Sequence, residues 1–198
     1  MTHDKQKLVL DFWFGEDPLL VLDKSDQWFE KDVSFDDSIR TQFAGLMKDA
    51  ENGAFEDWAK TPRGALALVL LLDQFPRNVF RDDPRAFAND AHARRITEIA
   101  IDHGLDQQLS AIERTFLYLP LEHSENINAQ QRVVGLFKKL INEAQAGEHQ
   151  IVTQALTYAM SHREIIERFG RFPHRNTILG RKSSRAEVDF LKTPYSSF

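Results

Sequence analysis

The segment TPRGALALVLLLDQ at residues 61–74 narrows the possible folds more than any other part of the chain. Thr61 followed by Pro62 is an N-cap with proline at the first helical position, and Gly64 to Leu72 then runs without a polar side chain. A helix that is apolar on every side must be surrounded by protein, so the rest of the chain has to supply enough elements to enclose it. The uninterrupted apolar run, Ala65 to Leu72, is far short of the ~20 residues that cross a bilayer, so the enclosing medium is protein and not lipid.

The enclosing elements also read as helices. Residues 4–14 place Leu8, Phe12 and the Trp13 region on one side of a first helix that Gly15 and Pro18 end. Ser34 and Asp37 resemble a capping box ahead of the stripe Ile39, Phe43, Leu46, Met47 and Ala50, which Asn52 and Gly53 close. Asp83 and Pro84 predict a helix running to about His103. Asp106 then caps another with Leu109, Ile112, Phe116 and Leu119, stopped by Pro120. Ser124 opens a helix with Val133, Phe137, Leu140, Ile141 and Ala144 on one face. Residues 150–169 carry Ala155, Tyr158, His162, Ile165 and Phe169 to a stop at Gly170, and Ser184 with Glu187 starts a short last helix. No strand-like alternation or hairpin turn interrupts this pattern, so the chain is predicted to be all-α, with short connections that favour antiparallel helix pairs.

At 198 residues, with no linker rich in Gly, Pro or Ser, the chain reads as a single helical domain spanning 1–198. Acidic residues outnumber Lys and Arg by 30 to 25, for a net charge of −5, and broad nucleic-acid binding needs the opposite balance. There is no cysteine, hence no disulfide frame and no thiol nucleophile, which suits a reducing cytoplasm. The N-terminal apolar run is short and interrupted by Asp11, unlike a secretory signal, and no membrane partner is expected.

Three polar clusters fall at predicted helix ends: LLDQFPRN at 71–78, LPLEHSE at 119–125, and the arginine-rich run at 162–176. Asp73, placed at the negative end of a buried helix, needs a cationic or donor partner, and Arg77 or an arginine of the 168–181 run is available. Glu122, His123 and Glu125 either cap a helix start or set His123 up as a base or ligand. Neighbours on one helix do not face each other, so Glu122 and His123 converge only in a non-helical turn. His162 lies on an apolar stripe and points inward. His174 sits in an ordered loop between Pro173 and Arg175-Asn176, and that loop either is tied down by carboxylates or presents its donors to an anion.

No phosphate loop, dinucleotide fingerprint, HExxH or GxSxG motif is present, so no cofactor and no metal site is expected from the sequence. A metal would have to gather residues distant in sequence, such as Glu122, His123, His162 and His174.

The segments LDFWFG at 10–15, TPRGALALVLLLDQFPRNVFR at 61–81, AFANDAHAR, FLYLPLEHSE at 116–125, HREIIERFGRFPHRNTILGR at 162–181 and the ending FLKTPYSSF together resemble the bacterial domain-of-unknown-function family 924. The resemblance covers nearly the whole chain. It implies a compact all-helical, tetratricopeptide-like fold of stacked antiparallel pairs in a soluble bacterial protein, and it implies no activity.

Three functions compete. In the first, a helical binding module receives a small anionic molecule or an acidic peptide through Arg77, Glu125, His162, Arg163, Arg171, His174, Arg175 and Asn176. In the second, a hydrolase uses His123 or His174 as base, Glu122 or Asp73 to orient it, and Arg171 or Arg175 against developing charge. In the third, a scaffold ties its helix ends together by a buried salt-bridge network and has no cavity beside it. The first is preferred, because neither a catalytic nor a metal motif supports the second. Phe169 and Phe172 interleave with the arginines as base-stacking groups would, but Phe169 continues a core stripe and the net charge disfavours nucleic acid.

Overall fold

The computed structural model describes residues 2–17, 21–22, 24–29, 31–194 and 196. Pro18, Tyr195, Ser197 and Phe198, each part of a sequence reading above, lie outside them. Among the described residues the regular elements are all helical: α1 Thr2–Phe14, α2 Ser25–Phe29, α3 Val33–Glu51, α4 Pro62–Val69, α5 Phe75–Val79, α6 Asp90–Asp102, α7 Ala111–Glu122, α8 Ile127–Glu143, α9 His149–Phe169 and α10 Arg185–Phe190.

Helix α4 starts as its sequence requires. The Thr61 hydroxyl accepts from the Gly64 N–H, Pro62 takes the first position, and Gly64 to Val69 are all buried, with α1, α6 and α7 packed around them. An aromatic cluster fills the space between α1, α3, α5 and α7: Phe12, Trp13, Phe43, Phe75 and Phe116 meet edge to face or tilted at 4.9–6.1 Å. Helices α7, α8 and α9 each pack on the one before. Connections as short as the one between Glu122 and Ile127 make these neighbours antiparallel.

Gly64 is the tightest point of the centre. A Cβ there would lie 2.4 Å from the Trp58 carbonyl oxygen and 2.5 Å from the Thr61 hydroxyl. Gly64→Ala is therefore expected to lower stability by about 1–3 kcal/mol, read as a shifted denaturant midpoint at unchanged m-value, although alanine is the better helix former.

Several local expectations are corrected. In α1 the buried apolar residues are Val9, Leu10, Trp13 and Phe14, while Leu8 is 49% exposed, because the cluster around Phe116 takes Trp13 and Phe14 and rotates Leu8 outward. Asp32 caps α3, accepting from the Ser34 and Phe35 N–H groups. Asp83 caps only a short 3₁₀ turn, Pro84–Phe87, and α6 begins at Asp90. Ser110 with Glu113 forms the capping box of α7, and Asp106 is instead buried and accepts the Tyr118 hydroxyl at 2.5 Å. Pro120 lies inside α7, whose last turn continues through the His123 N–H to the Leu119 carbonyl. Asn126, not Ser124, caps α8. Tyr158 is 42% exposed, although His162, one turn on, is buried as expected. Gly170 ends α9 in the left-handed conformation, and Ser184 with Glu187 makes the expected capping box of α10.

The correction with most consequence concerns the end of α4. The chain does not stop at Asp73: it passes through a π-helical turn, Leu70–Gln74, and continues as α5, with the Phe75 N–H bonded five residues back to the Leu70 carbonyl. Pro76 supplies the cause. Its ring would collide with the carbonyl four residues earlier and it has no N–H, so widening the preceding turn keeps the helix continuous. Asp73 thus sits in mid-helix and not at the negative end of a dipole.

Candidate functional site

The π-turn directs Asp73, which is fully buried, toward the C-terminal end of α7. There His123 Nδ1 lies 2.8 Å and 3.0 Å from the two Asp73 oxygens, across fifty positions of sequence. The Gln74 amide donates to the same carboxylate at 2.6 Å and the Arg77 guanidinium at 3.1 Å. Burial opposes ionisation of Asp73, but His123, Arg77 and the Gln74 hydrogen bond together outweigh it and hold the carboxyl below the usual carboxylate range. With Asp73 ionised, the proton on Nδ1 is fixed by its hydrogen bond, and Nε2 on the opposite edge of the ring keeps its lone pair. Burial and the Arg77 charge also lower the His123 pKa from its ordinary value.

Arg77 carries the network outward. It donates to Asp90 at 2.7 Å, and Asp90 in turn accepts from Arg175 Nη1 at 2.9 Å. The Arg175 guanidinium packs over the rings of Phe87 and Phe172, 4.6 Å from each centroid. Arg175 is 95% removed from solvent, and its Nε has no hydrogen-bond partner among the described residues. Burial and the neighbouring Arg77 bring its pKa down to about 10, so it remains cationic at neutral pH.

His123, Asp90 and Arg175 open onto one cleft of about 500 Å³. Arg94, Ser124 and Glu125 are also on its wall. Arg94 donates to the Ser124 hydroxyl at 3.2 Å, and its contact with Glu98 is a loose 3.7 Å. The N-terminus of α8, with its cap Asn126, points its positive end at the same space.

Of the remaining predicted site residues, Glu125 is on the cleft wall with its carboxylate already paired, and the others fall elsewhere. Arg171 forms a bidentate pair with Glu187 at 2.6 and 2.9 Å, and Asn176 donates to the Ser183 hydroxyl, so both fasten the loop to α10. Glu125 is held by Arg181 at 2.6 and 2.8 Å and by the Phe172 N–H at 2.8 Å. Arg163 pairs with Glu167 on its own helix. His174 packs on Phe172, and burial, then the Arg175 and Arg77 charges, lower it to about 4.

Glu122 and His123 diverge, as neighbours on a helix must. Glu122 turns into the protein, 3.3 Å from His162 Nδ1, which itself approaches the Tyr158 carbonyl at 2.9 Å. Burial, reinforced by the Asp73 charge, pushes the Glu122 carboxyl up to about 8, and burial takes His162 down to about 3. Both are therefore neutral at pH 7. Among the described residues no three His, Asp or Glu side chains converge as metal ligands.

Sequence reasoning missed Asp90, Arg94 and Phe87, which line the cleft. Their only signal was the stretch AFANDAHAR, and that came from resemblance and not from chemistry.

The fold and site define an all-α protein with a buried carboxylate–imidazole pair opening on an arginine-walled cleft. The chain belongs to the family described as "Bacterial protein of unknown function (DUF924)", whose model matches residues 9–195. A solved structure, that of the protein of unknown function ATU0120 from Agrobacterium tumefaciens, is similar at 38% identity and a TM-score of 0.83, over 97% of this chain and 99% of that one. No curated protein matches. Among the described residues no helix is long and apolar enough to cross a membrane.

Proposed function

We propose that the chain is a helical binding module that takes up a small anionic molecule in the cleft between α6, the 123–126 turn and the loop after α9. The observation that carries this reading is Arg175, a buried cation on the cleft wall whose Nε is unused by the protein. A guanidinium fixed by two aromatic rings loses little entropy when it engages a carboxylate or phosphate. Arg94, one-third exposed and loosely paired, is the second donor, and the N-terminus of α8 adds partial positive charge. A cleft of about 500 Å³ suits a small molecule better than an acidic peptide.

We read the sequential packing of α6 to α9 as tetratricopeptide-like, with this cleft at one end of the stack. The absence of cysteine fits a cytoplasmic setting. A scaffold reading accounts for Arg171 and Arg181, which are absorbed by carboxylates, but not for a cavity beside Arg94 and Arg175.

Calorimetric titration with inorganic phosphate and with succinate tests the proposal. Saturable binding is expected for the unmodified protein. Arg94→Ala and Arg175→Ala are each expected to weaken it about tenfold or more, at roughly 1.5–3 kcal/mol per charge-assisted hydrogen bond. Arg171→Ala leaves binding unchanged. Equal binding by all four proteins contradicts the assignment.

A further inference from the structure

The pair Asp73–His123 is more than anion binding requires. A cleft that only held an anion would gain from a charged histidine, yet here a fully buried carboxylate takes up Nδ1 of a histidine that lines the cleft, which leaves Nε2 as its basic nitrogen. Keeping that carboxylate in place takes a π-turn in the central helix, two further donors and a second arginine–aspartate pair behind it. Departures from regular helix of this kind concentrate at functional sites.

We propose that the cleft hydrolyses a small, singly charged carboxylic ester, with His123 as the catalytic general base and Asp73 as the residue that positions it. This rests on the anion-binding reading, since Arg94 and Arg175 hold the charged end of the substrate. His123 Nε2 takes a proton from a water molecule while the water oxygen forms a bond to the ester carbonyl carbon, and the carbonyl π pair moves onto its oxygen. The tetrahedral oxyanion faces the positive end of α8. Collapse reforms the carbonyl and breaks the bond to the alkoxide, which receives the proton from the His123 imidazolium. Ester and water become acid and alcohol, and Asp73 stays ionised throughout.

Water and not Ser124 is the nucleophile. The Ser124 hydroxyl is engaged by Arg94 and makes no hydrogen bond to His123 among the described residues. The charges on the wall bear on the reaction: Asp90 and Glu125 offset Arg94 and Arg175, so the cleft can hold the charged end of an anion but has no surplus cation for the charge of a transferring phosphoryl group, and a phosphate monoester is bound without being cleaved.

The full-length protein is assayed with p-nitrophenyl hemisuccinate, p-nitrophenyl acetate and p-nitrophenyl phosphate. Hemisuccinate is expected to be hydrolysed with a higher kcat/KM than acetate, and phosphate not at all. His123→Gln should lower kcat roughly 10²–10⁴-fold, the usual contribution of a positioned base. Asp73→Asn should lower kcat while leaving KM and the affinity for succinate unchanged, because it misplaces a proton and removes no binding group. The acid limb of the pH–rate profile should fall below the ordinary histidine value near 6.5. If Asp73→Asn does not fold, the His123→Gln comparison and the pH profile decide.

Hydrolysis unaffected by His123→Gln, turnover of the phosphate ester, or no hydrolysis of either carboxylic ester overturns the proposal. Succinate binding that survives in the last case leaves the binding reading standing. Loss of both removes the two together.

Discussion

Replacing Asp73 by alanine lowers the unfolding free energy by about 3–5 kcal/mol, the cost of removing one partner from a buried ion network. For a chain of this length that is roughly 6–20 °C in melting temperature. The fully buried carboxylate accepts from His123, Gln74 and Arg77 at once, so its removal leaves three donors short of an acceptor, and only Arg77 has another, Asp90. Most of the loss is the desolvation of those donors and not the missing attraction. Asp73→Asn, which keeps an acceptor oxygen in place, should therefore lose clearly less than Asp73→Ala. Equal losses for the two would assign the effect to packing alone. Chemical denaturation at pH 7 with matched m-values makes the comparison.

Stability should peak near pH 6.5 and decline on both sides. On the alkaline side the cause is Glu122, whose folded value of about 8 lies above the ordinary 4.5. Between those two values the folded protein holds a proton that the unfolded chain releases, so stability falls as pH rises through the window. On the acid side the causes are His162 and His174, with folded values of about 3 and about 4 against an ordinary 6.5. Below 6.5 the unfolded chain takes up two protons that the folded protein refuses. These outweigh the single Glu122 proton of opposite sign. At about 1.4 kcal/mol per proton and pH unit, each flank amounts to roughly 2 kcal/mol over one and a half pH units. Glu122→Gln keeps the neutral, buried shape and abolishes the alkaline decline, so the variant gains roughly 2 kcal/mol on the parent between pH 6.5 and 8. A parent stability that is flat or rising from pH 6.5 to 8 would contradict a neutral Glu122.

The all-α fold was legible because its signals are local. Thr61-Pro62, the Ile39–Ala50 stripe, Gly170 and the Ser184–Glu187 box each act within a few residues, and the structure uses them as read. The site was legible only in part. Asp73 stands out as a carboxylate at the end of an apolar run, and His123 and Arg175 stand out as members of polar clusters at helix ends. Their partners were harder, because Asp90 looks like any acidic residue in a first helical turn and lies eighty-five positions from Arg175. The π-turn that positions Asp73 depends on Pro76, and a proline in that place reads equally well as a helix stop. Arg171 and Arg175, four residues apart in one basic run, have opposite fates because the α10 carboxylate Glu187 reaches only the first.

Arg94, Arg175 and His123 line one cleft, which on the proposed function receives an anion. A nitrogen-edited NMR titration with inorganic phosphate tests it at the atoms concerned. Saturable shifts are expected at the Arg94 and Arg175 Nε–H groups, the His123 imidazole and the backbone amides of residues 124–129, with Arg171 and Glu187 unmoved. Shifts that do not saturate, or that centre on Arg171 and the loop against α10, would contradict it.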